Sequence, residues 1–199
     1  NGSRLMLGDL SAHFGNSVDP AANSGTGGAT LNGVYLNGPT KGVTAALAGP
    51  SGTAVSFNGT SQRMLVNYNA ALHPAAPWSA EVWVKPAQTL GSGDLRCAVS
   101  NGQFGSPRSG WLIYQDVDKW NLRTYIGSGT GTAVSISSAA GTASTGVWHH
   151  LVVVNDDTDV ILYVDGTEAA RAAKGATVSG ASGGTCVGAR SDGAFWWPG

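Results

Sequence analysis

The chain has 199 residues, of which 42% are hydrophobic and only 12% charged, with 30 glycines and a formal net charge of -1. That balance, with a pI near 6.4 and no cluster of Lys and Arg, excludes nucleic acid and anionic membrane as electrostatically steered partners. Seven Trp, five Tyr and four Phe exclude global disorder. No apolar run approaches the roughly 20 residues of a membrane span, so no membrane insertion is expected.

In chain order, Arg4 to Leu7 reads as a short strand, and the Gly-, Asn- and Ser-rich run Ser11 to Gly33 as a long irregular loop. Strand signals recur at Ala54–Phe57, Arg63–Val66, Ser79–Lys85, Cys97–Ser100, Trp111–Gln115, Trp120–Ile126, Val134–Ser138, Trp148–Asn155, Val160–Val164 and Thr185–Gly188. Ala70-Ala71-Leu72 before His73-Pro74 suits one helical turn, and Thr167 to Lys174 reads as a strand continuation. Asp165-Gly166 marks a tight hairpin turn, because Gly takes the positive φ such turns require. Short strands, Gly-rich turns and no intervening helices predict an all-β fold, two antiparallel sheets packed face to face. The length suits one domain over 1–199.

Several stretches resemble the laminin-G-like, concanavalin A-like lectin-glucanase jelly-roll family of extracellular proteins. The carriers are Arg4-Leu5-Met6-Leu7-Gly8-Asp9, Ala54-Val55-Ser56-Phe57-Asn58-Gly59-Thr60, Pro77-Trp78-Ser79-Ala80-Glu81-Val82-Trp83-Val84-Lys85-Pro86, and Trp148-His149-His150-Leu151-Val152-Val153-Val154, followed by Tyr163-Val164-Asp165-Gly166. The resemblance implies a jelly-roll sandwich at the cell surface, outside the cell or on a virion exterior. It also implies a rim calcium site, for which Asp9 is the candidate ligand. In that family a final acidic strand follows a stretch like Val187-Gly188-Ala189-Arg190. Here Trp196-Trp197-Pro198-Gly199 stands in its place, so the domain is expected to be part of a longer protein or to be completed by a partner strand.

Glycoside hydrolysis needs two carboxyl groups across the scissile bond. The chain offers Glu81 and Glu168 as its glutamates, and no strand carries spaced paired carboxylates, so an enzyme is not expected. Alternation in Ala80–Lys85 places Ala80, Val82 and Val84 inward and Glu81, Trp83 and Lys85 outward. The same rule groups Asn121, Arg123 and Tyr125 on one face of a later strand. These six residues are the candidate sugar-binding surface if they converge; burial of Trp83 under the Ser11–Gly33 loop is the competing reading. Trp196 and Trp197 are interface candidates, since adjacent residues of an extended chain face opposite ways. Cys97 and Cys186 are an even pair that suits either one disulfide or two buried thiols. The Asp156, Asp157 and Asp159 group reads as a solvated hairpin tip, and Asn58-Gly59-Thr60 is a formal glycosylation sequon at a turn. The expected function is a non-catalytic recognition module for carbohydrate or a protein surface; the alternative is a self-assembling structural subunit of a surface polymer or virion.

Overall fold

The computed structural model describes residues 19–47, 52–175 and 183–199. The expected strand Arg4–Leu7, the candidate calcium ligand Asp9 and the first part of the expected loop lie outside the described residues. In chain order the strands are β1 (Asp19–Ala21), β2 (Gly33–Leu36), β3 (Thr40–Thr44), β4 (Thr53–Ser56), β5 (Arg63–Val66), β6 (Trp78–Val84) and β7 (Leu95–Gln103). They continue with β8 (Ser109–Asp116), β9 (Lys119–Ile126), β10 (Thr132–Ser137), β11 (His149–Asn155), β12 (Asp159–Val164), β13 (Thr167–Ala173) and β14 (Thr185–Val187). Short 3-10 turns occur at Gly28–Leu31 and Ala70–Leu72, the second capped by the Asn69 side chain, which accepts from the Ala71 N–H.

Every ladder is antiparallel. One sheet runs β1-β2-β5-β14-β7-β8-β9-β10, a second runs β13-β12-β11-β6, and β3 pairs with β4 in a two-stranded ribbon. The expected loop Ser11–Gly33 is partly regular: Asp19, Pro20 and Ala21 pair with Tyr35, Val34 and Gly33. Pro20 is tolerated there because β1 is an edge strand among the described residues, where the missing N–H breaks no central ladder.

The two larger sheets face each other across one apolar layer. Ile113, Trp120 and Leu122 come from one side, and Leu151, Val153, Val160 and Leu162 from the other, all fully buried. Burying each such aliphatic side chain contributes about 1.5–3 kcal/mol. The alternation that builds this layer is clearest in β11, where His149, Leu151, Val153 and Asn155 are buried and His150, Val152 and Val154 are not. The fold is therefore an all-β, antiparallel jelly-roll sandwich.

A smaller apolar cluster sits on the outer face of the eight-stranded sheet: Cys97, Phe104, Leu112, Tyr114 and Tyr125. Cys97 and Cys186 are both buried and both free thiols, so the disulfide alternative does not hold in this structure. Burial pushes the Cys186 thiol up to about 12, and burial, reinforced by Cys186, raises Cys97 well above the ordinary thiol range.

Candidate functional site

β6 places Glu81, Trp83 and Lys85 on the outer face of the four-stranded sheet, while Val82 and Val84 join the core. Trp83 is 40% exposed, so the reading in which a loop buries it does not hold. Its indole is fixed rather than loose. The His150 ring stacks on it with centroids 4.6 Å apart and planes 13° from parallel, because β6 and β11 pair Trp83 directly with His150. The Glu81 carboxylate meets His150 Nε2 at 3.1 Å, which holds the imidazole flat against the indole.

Asp165 anchors this platform from below. It occupies the two-residue β12–β13 turn, where Asp165 and Gly166 take φ of 51° and 81°, the doubly left-handed geometry for which Asp-Gly is suited. One carboxylate oxygen accepts from the His150 backbone N–H at 2.8 Å, and the other meets Nδ1 of buried His149 at 2.8 Å. His149 Nε2 accepts from the Ser144 N–H, so Nδ1 carries the proton and donates to Asp165. The two histidines thus face opposite ways, as strand alternation requires.

Across the same face a cross-strand row runs Glu81, Val152, Tyr163, Glu168. Arg171 closes the far side by gripping Glu168 and Asp159, with its Nη2 and Nη1 each 2.8 Å from a carboxylate oxygen. Lys85 projects at the other end, its ammonium 5.8 Å from the Trp148 ring centroid. The result is a flat polar surface with one fixed aromatic plate, flanked by carboxylates and cations.

Asn121, Arg123 and Tyr125 do not reach it. They lie on the outer face of the eight-stranded sheet, on the opposite side of the sandwich, and each is engaged locally. Asn121 accepts from Ser137 Oγ, Arg123 Nη2 donates to Tyr114 Oη at 2.9 Å, and Tyr125 is buried between Phe104 and Arg108. The pair Trp196 and Trp197 also resolves differently from expectation. Trp197 is a core residue stacked on Trp120 at 5.8 Å, and half-buried Trp196 lies under the Arg63 guanidinium.

The acids at 156–159 do not fit a calcium cage, because each is already used. Asp156 Oδ1 accepts from the N–H groups of Thr158 and Asp159, Asp157 pairs with Lys174, and Asp159 pairs with Arg171. Among the described residues no group of three His, Cys, Asp or Glu is placed to share a metal ion. The sequon side chain is likewise committed: Asn58 Oδ1 accepts from the N–H groups of Thr60, Ser61 and Gln62.

The fold also joins residues that no sequence pattern connects. A cavity of about 650 Å³ lies beside the first residues of β6, walled by the stacked indoles of Trp78 and Trp111, 5.3 Å apart, with Asn101 and Asn155 among its lining residues. Trp78 and Trp111 are far apart in sequence, and only the pairing of sheets brings them together.

The architecture defines a concanavalin A-like type of jelly-roll sandwich. The chain belongs to the concanavalin A-like lectin/glucanases superfamily, whose family profile matches residues 58–199. No curated protein matches the chain at the sequence level. Among solved structures it is similar to the binding domain of Paraclostridial Mosquitocidal Protein 1, with a TM-score of 0.64 and 14% identity, covering 92% of this chain and 44% of that one. It is also similar to domain 4 of AbnA, a GH43 extracellular arabinanase from Geobacillus stearothermophilus, in complex with arabinotriose (TM-score 0.57, 18% identity, 91% and 86% covered). A third likeness is to the Ruminococcus gnavus IT-sialidase CBM40 (TM-score 0.53, 12% identity, 86% and 88% covered). At these identities the likeness shows the fold. The chain spans less than half of the mosquitocidal binding domain it matches.

Proposed function

We propose that this chain is a non-catalytic recognition module of an extracellular protein, and that it holds carbohydrate on the outer face of the four-stranded sheet. The observation that carries the reading is the Trp83 indole, exposed on that face and locked flat by the parallel His150 ring and Glu81. A sugar ring offers a face of C–H groups to such a plate and hydroxyls to its surroundings. Glu81 accepts hydrogen bonds, Lys85 donates them, and the stack is pre-organised, which lowers the ordering cost of binding. The likeness to the arabinanase domain in complex with arabinotriose supports the same class of ligand.

The placement of the two glutamates supports a non-catalytic role, and the one close carboxylate pair noted on this face, Asp159 and Glu168, is held and neutralised by Arg171. Glu81 and Glu168 sit three strands apart in one row, so their backbones are roughly 14 Å apart at about 4.8 Å per strand. Glycosidase pairs stand about 5–10 Å apart, and both glutamates here are already paired with His150 and Arg171.

The test is a glycan array that includes arabinotriose and ganglioside oligosaccharides, followed by calorimetry on the hits with wild type, Trp83→Phe and Trp83→Ala. Trp83→Ala is expected to weaken binding about tenfold, the worth of one aromatic stacking contact, with Trp83→Phe in between. Undiminished binding by Trp83→Ala would remove this face from the reading.

A further inference from the structure

The cavity beside the first residues of β6 is built by two facing rows of side chains. On the eight-stranded sheet the row is Thr185, Asn101, Trp111 and Thr124, each directly opposite the next across β14, β7, β8 and β9. On the four-stranded sheet Trp78 pairs with Asn155 across β6 and β11, and the two rows meet where Trp78 stacks on Trp111. One step deeper both sheets turn apolar. The next row is Val187, Val99, Ile113 and Leu122 on one side and Ala80, Val153 and Leu162 on the other. Asn101 and Asn155 are thus amides at core positions, only 4% and 2% exposed, at the end of a layer that is otherwise filled with aliphatic and aromatic side chains.

A buried amide needs partners for both of its ends. Asn101 spends its NH2 group within the protein, donating to the Leu72 carbonyl at 2.8 Å and to Thr185 Oγ1 at 2.9 Å. Toward a ligand it can therefore only accept. Asn155 Oδ1 accepts from the Asp157 N–H at 3.2 Å, so what Asn155 has to give is its NH2 group. Ala71, Leu72, Pro74, Ala76 and Ala80 make much of the remaining wall apolar, and the Asp157 and Lys174 charges there are paired with each other. We propose that this cavity is a further binding site, and that its ligand is a small, flat, uncharged aromatic molecule with a hydrogen-bond donor at one end and an acceptor at the other. The ring lies against indole surface, the donor meets Asn101 Oδ1, and the acceptor meets Asn155 Nδ2. A volume of about 650 Å³ falls within the roughly 300–1,000 Å³ of small-molecule sites. A saccharide suits the cavity poorly. Hydroxyls around its whole rim would face the alanine and proline wall, and each one left unpaired loses about tenfold in affinity or more. A charged ligand would give up its hydration to a site whose own charges are already matched. The site is separate from the glycan reading, which concerns Trp83 on the outer face of β6.

The probe is umbelliferone, a flat coumarin with a phenol at one end and a lactone carbonyl at the other, used in mildly acidic buffer where the phenol is uncharged. Its methyl ether, herniarin, lacks the donor, and methyl glucoside stands for a saccharide. The indole Nε1–H resonances of the isotope-labelled chain, assigned with Trp78→Phe and Trp111→Phe, read the binding. Umbelliferone should shift Trp78 and Trp111 saturably and leave Trp83 in place, and herniarin should bind about tenfold more weakly. Ala75→Trp, a larger side chain at an exposed lining position, should lose the binding while the other indole resonances keep their positions. No saturable shift, shifts confined to other indoles, equal binding of herniarin, or undiminished binding by a folded Ala75→Trp would each overturn the proposal. Tighter binding of methyl glucoside would overturn it too, and would make the cavity a saccharide site. The herniarin comparison is made on the wild-type chain and decides the matter even if Ala75→Trp does not fold.

Discussion

His73 shows what a single side chain reveals about the open end of the sandwich. It lines the larger cavity, its ring lies tilted against that of Tyr68 with centroids 4.9 Å apart, and neither ring nitrogen has a hydrogen-bond partner at bonding geometry. Burial lowers its pKa, an effect that the nearby Gly183 backbone only partly offsets. An unfolded histidine takes up its proton near pH 6.5. Below that value the unfolded chain binds more protons than the folded one, so stability falls as pH drops from about 6.5 through the lowered native value. Urea unfolding at pH 7.5 and pH 5 should show a smaller acid loss in His73→Phe, which keeps the ring against Tyr68; an unchanged loss would acquit His73. Trp83 was legible in the sequence because β6 alternates cleanly between apolar and polar residues. Asn121, Arg123 and Tyr125 were assigned to an outer face by the same rule, but alternation identifies a face of one strand and says nothing about which sheet the strand joins.

At the scale of elements, the legible strands are those with a dense apolar period, such as Leu151, Val153, Leu162 and Val164 in β11 and β12. β2 and β3 escaped because their sequences, Gly-Val-Tyr-Leu and Thr-Lys-Gly-Val-Thr, carry little alternation. β3 is mostly exposed and irregular in register at Lys41–Val43, so there was no buried face to read. A different constraint governs β7 and β8, where Gly102 lies opposite Gly110 and both adopt positive φ, 140° and 85°. A Cβ at Gly110 would stand 2.0 Å from the Asn101 carbonyl oxygen, and one at Gly102 would stand 2.2 Å from that of Ser109. These obstacles are backbone and cannot rotate away. Gly110→Ala should therefore cost about 2–4 kcal/mol through strain and local displacement of the ladder, read as a lower urea midpoint. Gly166→Ala, where a Cβ would meet open space, bears only the strain of its positive φ and should cost about 1 kcal/mol.

For the molecule as a whole, the last residues act as a clasp. Trp197 is 4% exposed and stacks on Trp120 in the core, while its own N–H donates to Gly188 and the two residues after it reach Phe57 and Ala87. Being next to the hydrophobic Trp196 made it look like surface, yet the turn at Phe195, with φ of 55°, aims it inward. Trp197→Ala removes a buried indole and should cost about 3–5 kcal/mol, the usual range for deleting a large core aromatic. The consequence should also be regional. The β3–β4 ribbon pairs with no third strand among the described residues, so the rung between Phe57 and Gly199 is its main backbone tie to the rest. Loosening that tie should let residues 40–44 and 53–57 exchange amide hydrogens through a local opening, while β11 and β12 still exchange only with global unfolding. Hydrogen exchange read by mass spectrometry on Trp197→Ala separates the outcomes: faster exchange confined to the ribbon identifies a clasp, whereas a uniform acceleration across both sheets identifies Trp197 as core filling alone.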